Sequence, residues 1–83
     1  MSEAQHDLVN EFPEHREHIH TLKQASAHFR KLFDEYHEVT KAISRSEQRI
    51  DLISEMEEER LRKTRLSLKD QLYSMMLQQA ATR

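Results

Sequence analysis

The chain has no glycine and a single proline in 83 residues, and this restricts its fold more than any other feature. Glycine and proline are the strongest punctuators of local structure, so few points along the chain invite a reversal. Val and Ile total six and rarely alternate with polar residues, which leaves the strand signal weak. Strong helix formers (Glu, Leu, Lys, Arg, Gln, Ala) dominate instead, and an all-α fold follows. The same counts remove chemistry. Without glycine there is no phosphate-cradling loop or dinucleotide fingerprint. Without cysteine there is no disulfide framework, thiolate zinc site or cysteine nucleophile.

The punctuation that exists places the helices. Residues 1–10 carry no strong pattern, and residues 1–11 are expected to fray. Proline suits the first helical turn and pushes the residue before it out of helix, so a short helix is predicted over 13–24. Glu14 and Glu17 lie in its first turn, where the helix dipole favours them. Ser26 is an N-cap candidate for a second helix over about 27–49. There Phe29, Tyr36, Ile43 and Ile50 recur every seven residues, and Leu32, Val39, Ser46 and Ile53 fill the matching set. Only Ser46 breaks this heptad seam.

Continuing the seam would put Glu57 and Arg60 on it. Ser54-Glu55-Met56-Glu57 reads instead as a capping box, which predicts a turn near 49–54 and a third helix over about 55–80. One unbroken helix from 27 to 80 is the competing reading, a rod of roughly 80 Å. In the third helix, Leu61, Leu68, Leu72 and Met75 form one stripe, and Leu66, Tyr73 and Leu77 form a second about 150° away. One helical neighbour covers only about 100° of arc, so something else must cover the rest. The expected hairpin core is Phe29, Leu32, Tyr36, Val39 and Ile43 against Leu61, Leu68, Leu72 and Met75, with Phe12, Ile19 and Leu22 folded over one end. Leu66, Tyr73, Met76 and Leu77 are the expected interface.

Size argues for such an interface. Leu, Ile, Val and Phe number 18 of 83, so a single domain spanning 1–83 has a thin core. A domain this small rarely gains more than about 3–5 kcal/mol from its core alone. Self-association or a protein partner is the expected use of the second stripe, with Met75 and Met76 adding an adaptable surface.

Other functions find less support. His15 and His18 are i,i+3, with Glu11 and Glu14 one turn away, but a zinc site needs three or four ligands. The others would have to come from His28, His37 or another chain, and no metal or cofactor is expected. Asp34 and Asp70 read as surface residues, and nothing assembles a nucleophile, base and orienting group, so no enzyme is expected. Arg60, Arg62, Lys63, Arg65 and Lys69 form a locally basic stretch that makes nucleic acid the rival partner. Its spread around the helix is wide, and Glu55, Glu57, Glu58 and Glu59 precede it. Net charge is −2, whereas a nucleic-acid binder is usually basic. The longest apolar run is three residues, Met75 to Leu77, far below the ~20 needed to span a bilayer. No signal peptide is evident, so a cytoplasmic, membrane-free protein is expected.

Three stretches, FPEHREHIHTLK at 12–23, FRKLFDEYHEVTKAI at 29–43 and RLSLKDQLYSM at 65–75, resemble the YdcH-like family of small bacterial proteins of unknown function. The resemblance implies a short N-terminal helix followed by a long, coiled-coil-like antiparallel two-helix hairpin, often self-associated, in a bacterial cytoplasm. It implies no activity. Relatives commonly have a polar, glycine-bearing turn between the long helices, whereas this chain has RIDLIS at 49–54.

Overall fold

A computed structural model describes residues 7–48 and 52–81. Among these residues every regular element is helical: α1 (Leu8–Glu11), a 3-10 turn (Pro13–His15), α2 (Arg16–Ala25), α3 (Ala27–Glu47) and α4 (Glu55–Ala81).

The long helices start where the sequence places their caps. Ser26 Oγ accepts the Phe29 N–H at 3.0 Å and opens α3. Ser54 Oγ accepts the Glu57 N–H at 3.0 Å at the start of α4. Each bond satisfies one of the donors that a first helical turn leaves without an intrahelical partner. The reciprocal half of the predicted capping box is replaced, because the Glu57 carboxylate pairs with Arg60 instead. Pro13 starts a helix as expected, but its first turn is 3-10 and α-helical geometry begins at Arg16.

α3 and α4 run antiparallel. Arg62 near the start of α4 bonds Glu47 at the end of α3 at 2.8 Å, while Ser74, Met75 and Gln78 lie beside His28 and Leu32 at the other end. The molecule measures 45 × 23 × 18 Å, about the ~40 Å length of α4 alone. The ~80 Å rod is therefore excluded. Residues 52–54 are non-helical. The rest of the predicted turn, residues 49–51 with the heptad position Ile50, lies outside the described residues.

α1 and α2 pack across the end of the hairpin formed by the start of α3 and the end of α4. Leu8, Ile19, Leu22, Phe29, Leu32, Tyr36, Leu68, Leu72 and Met76 make one buried cluster, with Val9, Phe12, Phe33, Val39 and Met75 packed against it. Ile43 is also buried. Leu61 is half-buried.

Two expectations are corrected. Met76, placed in the interface by its neighbours Tyr73 and Leu77, is fully buried. It sits about 40° beyond Leu72 around the helix, in the sector that α2 covers. The fraying expected over 1–11 does not hold for residues 7–11, which form α1 and its cap. (Residues 1–6 lie outside the described residues.) α1 is only four residues long, yet Leu8 is fully buried. A helix so short gains little from propensity. It is held by one apolar anchor and by tertiary bonds, which leave no periodic signal in the sequence.

Candidate contact face

The second stripe of α4 leaves apolar side chains exposed along the hairpin's side. Leu66 is 59% exposed, Leu77 46% and Tyr73 37%. Substantially exposed apolar side chains aligned on one helix face mark a contact surface more strongly than the same residues scattered singly. Of the four interface residues read from the sequence, the structure brings these three to one face and withdraws Met76.

The N-terminal arm covers the middle of that face. The Phe12 ring stacks on Tyr73 with centroids 4.9 Å apart and planes 17° apart, and His15 meets the same ring edge-on at 5.8 Å. Lys69 bonds Glu11 at 3.0 Å and lies over the Phe12 ring at 5.9 Å. The arm therefore fills part of the arc that one helical neighbour could not cover. Leu66 and Leu77 remain open on either side.

The histidines divide into two arrangements. His15 and His18 bring their Nδ1 atoms to 3.1 Å, a spacing that requires a proton on one nitrogen and a lone pair on the other. Among the described residues no three His, Asp or Glu side chains come together to hold a metal ion. His37 sits one turn from Phe33, against the Phe33 and Tyr36 rings at 4.3 and 5.2 Å. Its Nδ1 donates to the Phe33 carbonyl at 2.8 Å, and its Nε2 accepts the Leu8 N–H at 3.1 Å. Burial pushes the Tyr36 hydroxyl above its ordinary pKa of 10.0. The Glu11 carboxylate adds to this, while Arg65 opposes it.

The basic stretch of α4 is largely neutralised by its surroundings. Arg60 pairs with Glu57, Arg62 with both Glu47 and Glu58, Lys63 with Glu59, and Lys69 with Glu11. The hydrogen bonds between Arg60 and Glu57 hold the carboxyl below its ordinary range and the guanidinium above its own.

A trough of about 520 Å³ lies between α3 and α4 on the far side, lined by His28, Leu32, Asp70, Gln71, Ser74, Met75 and Gln78. It lies wide open to solvent, and its ionisable lining is one imidazole and one carboxylate. Sequence reading missed a second exposed apolar group at the hairpin tip, Leu52, Ile53 and Met56. The unusually apolar RIDLIS segment was the available signal.

No helix among the described residues is long and apolar enough to cross a membrane. A family model described as "Protein of unknown function (DUF465)" matches residues 29–76. The match takes in two of the three stretches that carry the resemblance, 29–43 and 65–75. No curated protein and no solved structure matches the chain.

Proposed function

The chain belongs to this family of proteins of unknown function (DUF465), and from that premise we propose that it is a non-enzymatic contact protein of the bacterial cytoplasm whose partner is a second copy of itself. The observation that carries this reading is the α4 stripe of Leu66, Tyr73 and Leu77, left partly open by the only other elements the described chain has to cover it. The stripe spans about 16 Å, from the helical rise of 1.5 Å per residue. Lys63 and Asp70 lie one turn before and one turn after Leu66, so an antiparallel second copy can set each beside its opposite charge across a self-complementary face. A few aliphatic and aromatic anchors can carry most of the affinity of such a contact.

The alternative, a nucleic-acid contact through the basic stretch, is weakened by the carboxylates that occupy four of its five cations. Phosphate would have to displace those carboxylates, and any such binding would fall steeply with added salt. The open trough supports no catalytic reading, since enzyme sites favour concave, largely enclosed pockets with convergent polar groups.

Sedimentation of a Leu66→Asp, Leu77→Asp double variant tests the proposal. Both positions are exposed, so helix content should match the wild type while association is lost. Association that survives both charges would place the interface elsewhere.

A further inference from the structure

We propose that α1 is a latch closed by neutral His37 and opened by its protonation. The claim rests on two hydrogen bonds that together leave the ring a single state. A carbonyl oxygen can only accept, so the 2.8 Å contact to Phe33 O puts a proton on His37 Nδ1. A backbone N–H can only donate, so the 3.1 Å contact from Leu8 N requires a bare lone pair on Nε2. The ring is therefore the neutral Nδ1–H tautomer. Adding the second proton turns Nε2 into a donor facing another donor, and the bond cannot survive.

The bond lost is one of the two tertiary bonds that seat α1, the other being Lys69 with Glu11. Leu8 N–H belongs to the first helical residue and has no partner inside a four-residue helix. His37 is that partner, reaching from 29 residues away in sequence. Leu8 itself is fully buried, and Phe12, at the other end of α1, is the ring stacked on Tyr73. Opening the latch therefore withdraws an apolar anchor from the core and uncovers Tyr73. The latch does not depend on whether the α4 stripe binds a second copy.

Charged groups lie on every element around the ring. α1 brings Asp7, whose carboxylate accepts from Asn10 N, and Glu11, bound to Lys69 of α4. α2 brings Lys23, seated over the Phe33 ring at 4.3 Å. Arg65 of α4 and the Tyr36 hydroxyl lie near the same cluster. On α3 itself, Asp34, Glu38 and Lys41 are within one turn. Carboxylates, ammonium, guanidinium and phenol groups ordinarily titrate outside pH 5–8, and imidazole inside it. His15 and His18 are the other imidazoles on the arm, so the test must separate them from His37.

Hydrogen exchange of the Leu8 amide, corrected for intrinsic rate, gives that separation. In the wild type, protection should fall about tenfold between about pH 7.5 and pH 5, as expected for loss of one partly buried hydrogen bond. His37→Gln supplies an acceptor that does not titrate and leaves His15 and His18 in place, so protection should persist at the lower pH. Protection that is unchanged by acid in the wild type, or lost equally in the variant, overturns the proposal. If the variant fails to fold, nitrogen chemical shifts of the wild-type ring decide. The Nδ1–H tautomer at alkaline pH is required, and an Nε2–H ring would overturn the latch.

Discussion

Met76 and Leu66 lie on the same helix, yet they should respond oppositely to truncation. Met76 is fully buried and Leu66 is 59% exposed. Met76→Ala should cost about 2–5 kcal/mol in chemical denaturation, whereas Leu66→Ala should stay within about 0.5 kcal/mol in the monomer. Equal costs would mean that the buried face of α4 has been misassigned. Tyr36 gives a second residue-scale prediction. Its folded pKa lies above the ordinary 10.0, so as pH rises through 10.0 the unfolded chain ionises first. Unfolded chain then binds fewer protons than folded chain, and stability falls with pH until the folded value is passed. Tyr36→Phe should flatten that alkaline loss in urea melts. Residues of this kind were unevenly legible in the sequence. Phe29, Leu32, Tyr36 and Ile43 could be read because a seven-residue repeat states their face four times over. Met76 could not, because its burial depends on α2 widening the covered arc. Leu8 could not, because a lone apolar residue has no period.

α1, α3 and α4 begin where single polar side chains, Asp7, Ser26 and Ser54, satisfy backbone donors, whereas α2 starts without a side-chain cap. Ser26 stops α2 from running into α3: its extended backbone breaks the helix while its hydroxyl starts the next one. Ser26→Ala should therefore cost about 1 kcal/mol, and Ser26→Gly should recover most of it by keeping the break. An alanine variant as stable as the wild type, or a glycine variant no better than alanine, would mean that packing alone sets the boundary. Caps of this type are local, which is why the starts of α3 and α4 were readable from sequence. The 3-10 geometry after Pro13 was not, since proline permits either first turn. α1 was not readable either, because its stability comes from His37 and Lys69, at sequence separations of 29 and 58 residues.

For the whole molecule, the choice between hairpin and rod turned on contacts between distant segments. Arg62 pairs locally with Glu58 at i,i+4, and it also reaches across to Glu47 on the other long helix, a contact that only the fold-back creates. The fold-back gives the chain one core and leaves α4 with more apolar surface than its neighbours cover. That surplus is the central claim, and it concerns assembly. The most direct measurement is molar mass by light scattering over a hundredfold range of concentration. The account predicts a mass that rises from the 10.0 kDa of one chain towards twice that value. A mass fixed at 10.0 kDa across the whole range would contradict it.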